Sequence, residues 1–181
     1  ELIAAANANP GQISYASSSP GTIAHLWGEL FGLETGAKLT HIPYKGAAPA
    51  SVDLLAGRVT VQFAPASTVV SHVKARKLKA LATIGRQRLE ALPDVPTIAE
   101  LGIKGFDATT WHGLVTPSRT PKDVVATLHR ATVAALGDAA VRKSLGDLGV
   151  DIVGNTPEEF TAYIKAEIPK WTAIVKASGA T

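Results

Sequence analysis

Short β-prone runs alternate with amphipathic helical runs between residues 13 and 84, and this alternation confines the chain to parallel βα units with right-handed crossovers. Strands are expected over 13–17, 38–44, 59–63 and 78–84. Helices are expected over 22–33, 48–56 and 68–75. The first of these places Ile23, Leu26, Trp27, Leu30 and Phe31 three and four residues apart, so they share one face. Gly57 closes the second, and the basic end of the third suits a helix C-terminus. A polar loop with Pro93 and Pro96 follows, then a short helix over 97–101 ended by Gly102, then an extended segment over 106–115.

The pattern changes at a Pro-containing joint, 116–121. Beyond it helices are expected over 122–136 and 139–148, with a short strand at 150–153. Thr156-Pro157-Glu158-Glu159 is a helix start, with a threonine cap, proline in the first position and acids in the first turn. That helix runs to about Lys176. The tail has too little strand for a second sheet, so its apolar stripes need another surface.

With 46% hydrophobic and 18% charged residues, the 181-residue chain is neither disordered nor a coiled coil. No apolar run approaches the ~18 residues of a spanning helix, so a membrane-embedded protein is not expected. There is no cysteine, which excludes disulfides, thiolate zinc sites and thiol catalysis. The net charge of +3 does not point to nucleic acid. Its distribution is uneven. Lys38, Lys45, Arg58, Lys74, Arg76, Lys77, Lys79, Arg86 and Arg88 share a stretch with one acid, Asp53. Such a zone is either a solvated face or an attractor for an anionic ligand or acidic partner.

The chemistry concentrates where strands hand over to helices. In Tyr15-Ala16-Ser17-Ser18-Ser19-Pro20-Gly21-Thr22, Ser19 is the expected cap and Pro20 the first helical residue. Gly21 permits close backbone approach, and the free N–H groups of a helix start attract an anion. The alternative is that Ser19 and Thr22 only cap the helix. Pro43-Tyr44-Lys45-Gly46 and Ala64-Pro65-Ala66-Ser67-Thr68 follow the next two strands. In an open α/β sheet these junctions lie on one edge, where ligands bind. A small-anion pocket is the expectation.

Enzyme readings find little support. His25, His41, His72, His112 and His129 are scattered, without metal spacing. Ser18 or Thr22 with His25 could form a nucleophile–base pair, but no third orienting carboxylate stands at a recognisable spacing. No Gly-x-Ser-x-Gly elbow, dinucleotide fingerprint or P-loop is present, and no cofactor is implied. His25 reads as a packed helix residue, and Trp27, Trp111 and Trp171 as core or interface anchors.

The order and spacing of several motifs resemble one family over nearly the whole chain. They are Tyr15-Ala-Ser-Ser, Gly21-Thr22-x-x-His25-Leu26, Gly28-Glu29-Leu30-Phe31, His41-Ile-Pro-Tyr-Lys-Gly46 and Asp53-Leu-Leu-Ala-Gly57. Lys77-Leu-Lys-Ala-Leu-Ala82, Leu92-Pro-Asp-Val-Pro-Thr97-Ile-Ala-Glu100, Leu101-Gly102, Trp111-x-Gly-Leu114, Thr120-Pro121 and Thr156-Pro-Glu-Glu-Phe160 continue the series. The chain is similar to the extracytoplasmic solute receptors of tripartite tricarboxylate transporters, the Bug/TctC-type periplasmic binding proteins. The resemblance implies an α/β, type II periplasmic-binding-protein lobe of parallel βα units, with a C-terminal helical segment that belongs with the other lobe. Residues 1–12 would end a first-lobe helix, 13–110 would form the second, ligand-binding lobe, and 111–181 would cross back to the first. The family's first lobe opens upstream of the matched region, so the resemblance also implies the later part of a longer receptor. The expected consequences are weak ligand binding by this chain on its own, an open edge at Thr22 and an uncovered apolar face over 122–176.

The implied function is capture of a small organic carboxylate and its presentation to membrane transporter subunits in the periplasm, without catalysis. The implied ligand residues are Ser17, Ser18, Ser19, Gly21, Thr22, Ala64, Pro65 and Ala66. Ser19 stands where the family usually has glycine, and Ala64-Pro65 where many members carry Asp-Asn. The second departure disfavours an amino-acid ligand and favours a plain mono- or dicarboxylate. The rivals are a Ser/His hydrolase and the effector-binding domain of a transcription regulator. The latter would need a DNA-binding module, which this sequence lacks.

Overall fold

The computed structural model describes residues 1–178 apart from Arg86 and Asp107. Arg86 of the basic zone, Asp107 of the extended segment and residues 179–181 of the tail lie outside the described residues. The elements are α1 (Leu2–Ala8), β1 (Ser14–Ser17), α2 (Ile23–Thr35), β2 (Thr40–Pro43), α3 (Ala47–Leu55), β3 (Val61–Gln62), α4 (Ala66–Lys74), α5 (Lys122–Gly137), α6 (Ala139–Asp147) and α7 (Pro157–Ser178). The strands form one parallel sheet in the order β2-β1-β3. Ser14, Tyr15, Ala16 and Ser17 pair with Thr40, His41, Ile42 and Pro43, and Tyr15 and Ala16 pair with Val61 and Gln62 on the other side.

Alternation along β1 divides the core. Ala16 faces α3 and joins Ala50 and Val59, with Tyr44 packed against them. Tyr15 faces α2, where its hydroxyl donates to Glu29 Oε1 at 2.6 Å. The larger cluster lies on the α2 side and contains Trp27, Leu30, Phe31, Ala37, Ile98, Phe106 and Ala108. Ala6 of α1 is buried in it, and Trp171 and Ile174 of α7 pack against it. Trp27 is also tied down by its indole N–H, which donates to the Ala108 carbonyl.

Four expectations require correction. Residues 78–84 do not add a fourth strand: their one bridge is Thr83 with Thr97, and β3 is paired over only two residues, which leaves little ladder to extend. The 97–101 helix is a hydrogen-bonded turn. Thr97 and Glu100 make a reciprocal capping box at 2.7 and 3.1 Å, but Gly102 at φ +85° ends the turn at once. Residues 150–153 are not a strand: Gly149 and Gly154 bracket them at positive φ, and Val153 is 80% exposed. Ser19 is not the α2 cap, because the helix begins two residues after Gly21 with Thr22 at the cap position. Thr156, by contrast, caps α7, its hydroxyl accepting from the Glu159 N–H while Glu159 accepts from the Thr156 N–H.

The tail is open. α5 and α6 bury no residue, and Leu114, Val115, Val124, Leu128, Val133 and Ile168 are exposed. Trp111 is likewise exposed, although its ring meets Phe160 and Tyr163 edge-on. Among the described residues no single helix is long and apolar enough to cross a membrane.

Gly28 is the closest approach between α2 and the sheet. A Cβ there would overlap the Tyr15 ring. In an exposed helix Gly→Ala stabilises by about 1 kcal/mol. Gly28→Ala is instead expected to destabilise by about 1–3 kcal/mol, as overpacking does, in urea unfolding. A gain in stability would show that Tyr15 does not lie across this glycine.

Candidate functional site

The parallel arrangement places the starts of α2, α3 and α4 on the carboxyl edge of the sheet. None of the three has a side-chain cap. Apart from Thr68 N–H, which donates to Pro65 O at 3.0 Å, their first-turn N–H groups therefore lack a side-chain cap, and their dipoles put partial positive charge on one edge. The order β2-β1-β3 makes the crevice between β1 and β3 the topological switch point, the usual ligand position in such sheets.

The residues singled out from sequence line this edge in two groups. Ser17 to Thr22 join β1 to α2, and Ala64, Pro65 and Ala66 join β3 to α4. The Ala16–Gln62 pairing brings the two junctions side by side. The β2–α3 junction is tied to the first, since Tyr44 N–H donates to Ser17 O at 2.9 Å and Gly46 N–H to Ser18 O at 2.8 Å. The turn after α6 abuts the α4 start, where a Cβ on Gly149 would lie 3.1 Å from that of Ala66. Gly21 is exposed, while Ser18, Ser19 and Thr22 are half-buried.

Several of these groups already have partners. Ser17 is fully buried, and its hydroxyl donates to Ser19 O at 3.1 Å and lies 2.6 Å from His41 Nε2. Thr22 Oγ1 donates to Ser19 O at 2.6 Å, which folds the hydroxyl back onto the loop. Gly21, at φ +73°, donates its N–H to His25 Nδ1 at 3.1 Å. The loop is thus braced from within, leaving the α2 N–H groups and the Ser18 hydroxyl at the edge. Lys45 is exposed at the β2 junction. Within the basic zone Arg58 pairs with Asp53, Lys79 with Glu1 and Arg88 with Glu100, all on the surface.

Sequence reasoning missed the polar layer beneath the loop. Tyr15, His25, Glu29 and His41 form one network. His25 and His41 stack with ring centroids 4.1 Å apart and planes 14° apart. Tyr15 stacks on the other side of His41 at 4.9 Å, and His25 Nε2 lies 3.7 Å from Glu29 Oε1. Burial and Glu29 push the Tyr15 phenol far above its ordinary range. The four-residue step from His25 to Glu29 was a legible signal, whereas the place of His41 depends on strand register. A cavity of about 490 Å³ borders this network, between α2, Tyr15 and the 36–39 segment that leads into β2. It is lined by Tyr15, Glu29, Gly32 and Lys38 among others, and none of the expected ligand residues borders it.

This parallel sheet, with helix starts gathered on one edge, has the architecture of a periplasmic binding-protein lobe. The description "Tripartite tricarboxylate transporter family receptor" matches residues 1–180, and the chain belongs to that family. Protein BugT of Bordetella pertussis is 38% identical over 179 residues, which span 99% of this chain and 55% of BugT. A Rhodopseudomonas palustris protein solved with adipate superposes with a TM-score of 0.89 at 32% identity, over 98% of this chain and 60% of that one. MatC from the same organism, solved with bound malate, gives 0.79 at 28% identity, over 96% and 60%. The chain therefore spans a little over half the length of these relatives.

Burial, and then the neighbouring His25, lower the His41 pKa from its ordinary 6.5. The folded protein then binds fewer protons than the unfolded chain just below pH 6.5. Stability is full above that pH and is lost as pH falls through 6.5 toward the folded pKa. Thermal unfolding is accordingly expected at lower temperature at about pH 5.5 than at about pH 7.5, with a smaller drop in His41→Gln. An equal drop in the variant would relieve His41 of this role.

Proposed function

We propose that the chain captures a small organic carboxylate at the carboxyl edge of its sheet, as part of a receptor that hands the solute to membrane transporter subunits in the periplasm. The observation that carries this reading is the convergence of three uncapped helix starts on one edge at the β1–β3 switch point. Such an edge offers N–H donors and partial positive charge without a fixed cation. Ser18 and Ser19 would meet the carboxylate with their hydroxyls beside the first-turn N–H groups of α2, Gly21 and Thr22 would shape the turn at that edge, and Ser17 would hold the loop behind them. Ala64, Pro65 and Ala66 present no acid to pair with an ammonium, so the carbon chain of a plain mono- or dicarboxylate is their natural neighbour. The adipate and malate in the two structural relatives are of this class.

Catalysis is not part of the proposal. A Ser–His contact exists at Ser17 and His41, but Ser17 is fully buried and gives its proton to Ser19 O. His25 Nδ1 is occupied by Gly21 N–H, so it offers no base to Ser18 or Thr22. Incubation with carboxylate esters and amides should release no product; turnover abolished by Ser17→Ala or His41→Gln would replace the receptor reading with a hydrolase.

Calorimetric titration of adipate and malate into the 181-residue chain should give weak but saturable binding that weakens further with added salt. Ser18→Ala should cost about 1.5–3 kcal/mol of that affinity, the value of a hydrogen bond to a charged group. No binding across a carboxylate panel, or unchanged affinity in the variant, counts against this edge as the site.

A further inference from the structure

Hydrogen-bond accounting under the loop assigns the proton positions. An amide N–H can only donate, so His25 Nδ1, 3.1 Å from Gly21 N, carries a lone pair and the ring proton sits on Nε2, facing Glu29. Ser17 Oγ has one proton, and Ser19 O can only accept it. The 2.6 Å contact with His41 is satisfied at the same time when His41 Nε2–H donates to Ser17 Oγ. The two rings lie face to face at 4.1 Å, an arrangement in which two imidazolium charges would repel.

We infer that the stacked His25 and His41 are the positioning residues of the carboxylate-receiving loop, His25 through Nδ1 on Gly21 and His41 through Nε2–H on Ser17. Each ring holds one end of the 17–21 segment, and neither projects onto the edge. Gly21 at φ +73° turns the chain so that the α2 start faces outward, and its N–H bond to His25 holds that turn. Ser17 ends β1, and its bridge between His41 and Ser19 O fixes where the loop leaves the sheet. The rings are anchored in turn. Tyr15 stacks on His41, and Glu29 receives the Tyr15 hydroxyl beside His25 Nε2. This inference rests on the carboxylate reading of the same edge.

The two histidines use different nitrogens, and amide side chains can test this. Asparagine places its oxygen near the position of Nδ1, and glutamine places its nitrogen near that of Nε2. Adipate and malate are titrated into the isotope-labelled 181-residue chain and followed through the amide resonances of Ser17 to Thr22. His25→Asn and His41→Gln should keep the wild-type affinity within about threefold, the scatter expected of a preserved hydrogen bond. His25→Gln, His25→Leu and His41→Asn should weaken it roughly tenfold, and the Gly21 amide proton should move upfield in the two His25 variants that lack the acceptor. A purely structural role would lower stability without this nitrogen-specific pattern. If the wild type binds while asparagine and glutamine behave alike at both positions, the positioning role is overturned and the receptor reading stands. Unfolding of all the variants would also overturn it, by making the pair a core element only. If the wild type binds neither acid, the receptor reading fails and the inference falls with it.

Discussion

Tyr15 is the side chain on which the rest of the structure depends. It is buried at the centre of the middle strand, and its ring, hydroxyl and position each hold a different element. The ring stacks on His41 of β2 and meets Phe63, just beyond β3, edge-on at 5.6 Å, so one residue joins all three strands on the α2 face. The hydroxyl reaches Glu29, and the ring lies against Gly28, which sets how closely α2 approaches the sheet. A buried phenol is stable only with a partner for its hydroxyl, and Glu29 supplies it from the helix that the ring supports.

That arrangement makes the geometry of the sheet's carboxyl edge a consequence of the core. Because α2 is held over β1, His25 is carried under the 17–22 loop, where it meets Gly21 and His41. The loop hydroxyls and N–H groups are then largely engaged with the protein itself, which leaves the backbone donors of the helix starts for a ligand. A binding protein gains from this division, since donors that are fixed before the ligand arrives lose little entropy on binding.

The tail is organised on different terms. α7 is held by its own capping box and by Trp171 and Ile174 against the α2 core. α5 packs with α6, yet neither buries a residue, and Val124, Leu128 and Val133 of α5 stay exposed. The sheet side of the molecule buries what its pattern calls for, and the tail buries only the part that reaches α2.

The sequence by itself determined the three βα units, the long helices and the residues of the strand-end junctions, because these follow from local periodicity and cap chemistry. Helix α2 and the start of α7 are legible in that way, in the spacing of Trp27, Leu30 and Phe31 and in Thr156–Glu159. The segments at 78–84 and 150–153 have strand composition without being strands, because a β-prone run becomes a strand only when a neighbouring edge is there to pair with it, which local composition does not report. Local cap chemistry favours Ser19, whereas the helix starts after Thr22, beside the turn in which Gly21 finds an acceptor in His25. The tertiary structure alone decided that His41 lies between Tyr15 and His25, since this needs the register of β2 on β1 and the packing of α2 above both. Periodicity gives each residue its face; which groups meet across two elements is settled by register and helix docking, which are long-range.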